Sequence, residues 1–104
     1  MIFIETPVFT RQVKESLSDD DYRLLQLLLA VRPDAGDLIK GGGGIRKVRW
    51  ALPGRGKSGG ARVIYYWQTT EAHVYMLYLF PKSERSDLAP EQVKQLAKYA
   101  KELK

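Results

Sequence analysis

The chain of 104 residues contains no cysteine and a single histidine, His73. Without cysteine there are no disulfides and no thiolate metal sites, which agrees with a reducing compartment. One histidine, with no helix placing two carboxylates beside it, supplies too few ligands for a zinc centre. It gives no serine–histidine or cysteine–histidine nucleophile either. No metal and no cofactor are expected. Long apolar runs are also missing. The longest, Leu24-Leu25 and Leu27 to Val31, is broken by Gln26 and closed by Arg32, too short to span a membrane. Met1 to Glu5 is too brief and lacks the basic leader of a secretory signal. A cytoplasmic protein without membrane contact is expected. With no internal repeat or low-complexity linker, residues 1–104 are expected to form one domain.

Negative charge is scarce in one place. Between Leu38 and Thr70 the chain carries Lys40, Arg46, Lys47, Arg49, Arg55, Lys57 and Arg62 and no acidic residue. The formal net charge is +5 and the pI about 9.6, so the excess sits in the middle of a nearly neutral chain. Such a block is the footprint of a polyanionic partner, nucleic acid above all. The alternative is a solvated face that only aids solubility.

The pattern of apolar residues predicts the order β-α-α-β-β-β-α. Ile2 to Glu5 reads as a strand. Thr6-Pro7 opens a short helix ending near Ser16. Ser18 caps a second helix, with Asp19 to Asp21 at the positive end of its dipole. Pro33-Asp34-Ala35-Gly36 stops it, and a polar stretch ends in four glycines, Gly41 to Gly44. Ile45 to Leu52 then alternates, with Lys47 and Arg49 on one face and Val48 and Trp50 on the other. A glycine-rich loop leads to two strands, Ala61 to Thr69 and His73 to Phe80, joined by a tight turn as a meander. Val93, Leu96, Ala97, Ala100 and Leu103 mark one apolar face of a last helix entered at Pro90. The fold class is α+β: a mostly antiparallel sheet with helices packed on one face.

Gly56-Lys57-Ser58 suggests a phosphate loop, but the glycine required five residues earlier is Ala51, and a strand follows where a helix is needed. It is not a nucleoside triphosphate site. What remains is a gathering of cations. If the first two meander strands pair, Lys47, Arg49, Arg55, Lys57 and Arg62 converge on one edge of the sheet, and Lys82 approaches from the end of the last strand. Such a cluster holds phosphates and stabilises charge developing on one. Tyr65, Tyr66, Trp67, Tyr75 and Tyr78 offer rings on which a base can stack, although alternation turns about half of them into the core. RNA carries its own nucleophile, the 2′-hydroxyl, so cleavage needs only a base, a cation and an acid; a lysine crowded by other cations can serve as the base. A cluster that binds without cutting satisfies the same spacing.

Three segments carry a family resemblance: Gly44-Ile45-Arg46-Lys47-Val48-Arg49-Trp50; then Gly54-Arg55-Gly56-Lys57-Ser58-Gly59-Gly60-Ala61-Arg62-Val63-Ile64-Tyr65-Tyr66; then Leu77 to Leu88 with Phe80-Pro81-Lys82-Ser83-Glu84 at its centre. Together with the element order, they resemble the RelE/HigB superfamily of toxins from type II toxin–antitoxin modules, nearest its HigB-like branch. The resemblance implies a small RelE-like fold and a ribosome-dependent mRNA endonuclease that cuts codons in the A site, leaving a 2′,3′-cyclic phosphate and a 5′-hydroxyl. It implies a cognate antitoxin containing a helix-turn-helix, with operator DNA met only through the toxin–antitoxin complex. It makes Lys47 and Arg49 general base and phosphate contacts, Arg62 the transition-state cation, and Lys82 part of the catalytic tail. Arg46, Arg55, Lys57, Tyr65 and Glu84 complete the expected RNA-contact set. Ser83 and Ala89 stand where many members have an arginine and a tyrosine, which leaves Lys82, Glu84 or Lys57 to supply the acid. The competing reading is a basic, non-catalytic module that binds RNA or the ribosome.

Overall fold

The computed structural model describes residues 1–51, 60–84 and 87–103. Its elements run β1 (Ile2–Glu5), α1 (Pro7–Ser16), α2 (Asp19–Val31), β2 (Asp37–Leu38), β3 (Ile45–Trp50), β4 (Ala61–Gln68), β5 (His73–Pro81) and α3 (Pro90–Glu102). The expected order is present with one addition, the two-residue strand β2.

Both N-terminal helices start where side chains can satisfy free amides. The Thr6 hydroxyl accepts the Phe9 N–H at 3.0 Å, and the Ser18 hydroxyl accepts that of Asp21 at 3.1 Å. α1 ends because Leu17 turns extended, its N–H closing back on the Val13 carbonyl. α1 buries Phe9 and Val13, and α2 buries Leu25 and Leu29 while leaving Leu24, Leu27 and Val31 exposed.

The strands form one sheet in the order β1-β5-β4-β3-β2. β1 lies parallel to β5, and every other neighbour is antiparallel. β2 extends the far edge by pairing Asp37 with Lys47 and Leu38 with Arg46. The glycine run forms the turn from β2 into β3. Gly44 sits at φ +108°, and a Cβ there would meet the Tyr66 ring at 2.9 Å, so both backbone and space require glycine.

Helices cover both faces, which corrects the expectation that they pack on one. Val63, Tyr65, Val74 and Met76 join Phe9, Val13, Leu25 and Leu29 in a core beneath α1 and α2. Their strand neighbours Ile64, Tyr66 and Leu77 join Ala100 and Leu96 in a second core beneath α3. Successive residues of a strand point to opposite sides, so α3 lies across the sheet from α1 and α2. The stripe of α3 guarantees that it covers something apolar; it carries no information about which face. β4 is consequently buried on both sides over Ala61 to Tyr66.

A bulge interrupts the β4–β5 ladder, where Ile64 pairs with Tyr78 but Tyr65 pairs with Met76, leaving Leu77 extra. α1 satisfies the backbone groups beside it. The Gln12 side-chain carbonyl accepts the Leu79 N–H at 2.8 Å, and the Thr6 hydroxyl donates to the Leu77 carbonyl at 2.9 Å. The bulge returns Leu79 to the α1–α2 core and Phe80 to the α3 core, which fixes how β5 meets Arg62.

Candidate RNA-cleavage site

The β3–β4 register sets the site. Arg49 pairs directly with Arg62, and Lys47 pairs with Ile64 two residues along the same face. Directly opposed residues of an antiparallel pair point to the same side, so Lys47, Arg49 and Arg62 share the α3 face of the sheet. Like charges placed opposite one another destabilise a sheet. Two arginines opposed in this way can share an anion between them.

Arg62 is the one charged residue buried among the described ones, at 6% exposure. Its guanidinium forms no ion pair with another described residue. A cation sealed from water and unpaired is costly. Yet none of its nitrogens is both closed off from solvent and without a partner. Its stem is packed, and its charge reaches the Asp87 carboxylate. Lys82 lies beside it in the backbone: its N–H donates to the Gly60 carbonyl at 2.9 Å, and Arg62 Nη1 stands 3.9 Å from where a Gly60 Cβ would be. The Lys82 side chain itself is exposed.

A carboxylate absent from the sequence reading enters the cluster. Asp87, in the segment leading to α3, places Oδ2 3.1 Å from Lys47 Nζ, while its Oδ1 accepts the Leu88 N–H at 2.8 Å. Burial opposes ionisation of Asp87, but the Leu88 amide, the Lys47 ammonium and the charge of Arg62 together hold its carboxyl below the usual carboxylate range. No run of basic residues could signal it, since Asp87 lies forty positions beyond Lys47 in the chain. Beside the pair opens a cleft of about 330 Å³ lined by Asp37, Lys40, Lys47, Asp87 and Val93 among others.

One expected RNA contact, Tyr65, is corrected, and a second, Arg46, is engaged within the chain. Tyr65 is fully buried in the α1–α2 core, where no base can stack on it. Its hydroxyl donates to the Pro33 carbonyl at 2.7 Å and accepts the Gly36 N–H at 2.8 Å. Burial raises its pKa, against the opposing pull of the Gly36 amide and the Arg46 charge. Arg46 alternates to the face opposite Lys47, where its guanidinium donates to the carbonyls of Gly36 at 2.8 Å and Asp34 at 3.4 Å. It anchors the chain leaving α2. Arg46→Ala is therefore expected to lower stability by about 1–2 kcal/mol, read from the urea midpoint, while RNA cleavage by the folded fraction stays unchanged. A cleavage loss at full stability would return Arg46 to the site. Glu84 is exposed in the turn after β5, where its N–H closes on the Pro81 carbonyl, and no described contact joins its side chain to Lys47 or Arg62. Arg55 and Lys57 lie outside the described residues.

Among the described residues no three histidine, aspartate or glutamate side chains gather as metal ligands. No helix is long and apolar enough to cross a membrane. The cluster can bind a phosphodiester and neutralise charge growing on it. The chain matches, over 94% of its length and 94% of the other, the free-state structure of a double arginine-to-alanine mutant of the Escherichia coli toxin RelE, with a TM-score of 0.60 at 14% identity. At that identity the likeness is one of fold. A sequence model described as the RelE toxin of the RelE / RelB toxin-antitoxin system matches residues 2–104. Spanning nearly every residue, that match establishes that the chain belongs to the RelE toxin family.

Proposed function

We propose that this family member acts as the toxin of a toxin–antitoxin module by cutting mRNA in the ribosomal A site. The observation that carries the reading is the direct opposition of Arg49 and Arg62 on the face that holds Lys47. In the reaction the 2′-hydroxyl loses its proton to a base and attacks the adjacent phosphorus. The P–O5′ bond breaks, leaving a 2′,3′-cyclic phosphate, and an acid protonates the departing 5′-oxygen. The nucleophile belongs to the substrate, so the step requires no metal-activated water. Arg62 and Arg49 offer planar forks to the phosphate oxygens, whose charge rises in the pentacoordinate state. Lys47 sits at the edge of the cluster, as phosphate contact or proton acceptor. Lys82, just beyond the end of β5, is the group assigned to the leaving oxygen in this reading.

The same reading includes a cognate antitoxin containing a helix-turn-helix that neutralises the toxin and brings it to operator DNA. The deciding experiment is controlled expression with primer extension on a translated reporter, with and without that antitoxin. Discrete cuts within the reading frame are expected, bearing 5′-hydroxyl ends and disappearing when translation of the reporter is blocked. Growth arrest with intact transcripts would replace the enzyme by a non-catalytic ribosome binder.

A further inference from the structure

We propose that Asp87 is a built-in competitor for the RNA phosphate: an internal counter-ion that occupies Lys47 in the free protein and yields it when a phosphodiester binds. This deepens the reading above and rests on Lys47 as a phosphate contact.

Among the described residues, the Lys47–Asp87 pair is the only ion pair made by any cation of the central basic segment. Its carboxylate oxygen stands where a phosphate oxygen would, 3.1 Å from the ammonium and within the field of Arg62. Asp87 comes to the cluster from outside the sheet, on the segment that enters α3. Its hold is slight. The Asp87 side chain is 60% exposed against 26% for Lys47, and such surface pairs are weak and salt-sensitive. Among the described residues its other oxygen is bonded only to the amide of the next residue, which leaves nothing else described to keep Oδ2 in place. A phosphodiester reaching Arg49, Arg62 and Lys47 together makes several charge-assisted bonds where Asp87 makes one. The carboxylate is thus strong enough to occupy the lysine and too weak to keep it. Its role is to lower affinity for stray anions while allowing a correctly seated backbone to enter.

The test uses a short single-stranded RNA with 2′-O-methyl groups, which the protein cannot cut, and fluorescence anisotropy across a salt series. Asp87→Asn keeps the shape and removes the charge. It is expected to tighten binding about three- to tenfold at low salt and to steepen the dependence on log salt concentration. Asp87→Ser is expected to do the same, and Asp87→Glu to keep the competition. Asp20→Asn removes an exposed charge at the start of α2, on the opposite side of the sheet, and controls for net charge; it should shift affinity less than about twofold. In a Lys47→Ala background the gain from Asp87→Asn should vanish. The proposal is overturned if the Asn and Ser variants bind no tighter, if Asp20→Asn gains as much, or if the gain survives loss of Lys47. Because the probe is uncleavable, intact reporter transcripts would refute the enzyme and leave this competition measurable. Conversely, unaltered RNA binding by Lys47→Ala would remove the lysine contact on which the competition rests.

Discussion

Arg62→Ala is expected to reduce mRNA cleavage by about 10²–10³-fold while changing stability by less than about 1 kcal/mol. Removing a group that stabilises charge appearing only in the transition state has effects of that size, because the donor is already in position. The fall should appear in kcat, with a smaller change in ribosome affinity. Stability is spared for a separate reason. The truncation loses the packing of the buried stem, but it also relieves the opposition between Arg62 and Arg49 across β3 and β4. Arg62→Lys keeps the charge and loses the planar fork, so it should recover only part of the rate. Single-turnover cleavage on programmed ribosomes, with urea unfolding of the same preparations, measures both quantities. An alanine variant that cuts within about fivefold of the parent would mean that Arg62 is no transition-state contact.

Much of the architecture was legible because it depends on local chemistry. Thr6 and Ser18 announce their helices through the amides they cap, and the alternation through Ile45 to Trp50 places Lys47 and Arg49 on one face. β2 was hidden because two residues, Asp37 and Leu38, cannot show a period; only their pairing with Lys47 and Arg46 makes them a strand. Asp87 was hidden because the basic segment is marked by an absence of acids within its own stretch of chain. Its counter-ion arrives from another. For Tyr65, alternation along the strand is uninformative. It separates inside from outside only when one face of a strand meets water, and β4 is enclosed by α1 and α2 on one side and α3 on the other. Its rings therefore divide between two cores, and a row of aromatics that resembled a stacking platform is mostly packing.

That reassignment of Tyr65 has the largest consequence for stability. Tyr65→Ala is expected to cost about 3–5 kcal/mol, the range for emptying a buried aromatic position. Single domains hold only about 5–15 kcal/mol in all, so much of the population should unfold at moderate urea. Tyr65→Phe isolates the polar contribution. The ring remains, but the Gly36 N–H and the Pro33 carbonyl both lose their partner, for about 1–3 kcal/mol. Gly36 offers little room to adjust, since even a Cβ there would come within 2.9 Å of the Tyr65 ring and 3.0 Å of the Lys47 backbone. The chain leaving α2 is thus fastened to the sheet through this hydroxyl, directly behind the strand that carries Lys47. A purely structural role requires that Tyr65→Phe, once folded, cut RNA at the parental rate while its unfolding midpoint falls. A base-stacking role requires the reverse: an unchanged midpoint with weakened RNA binding.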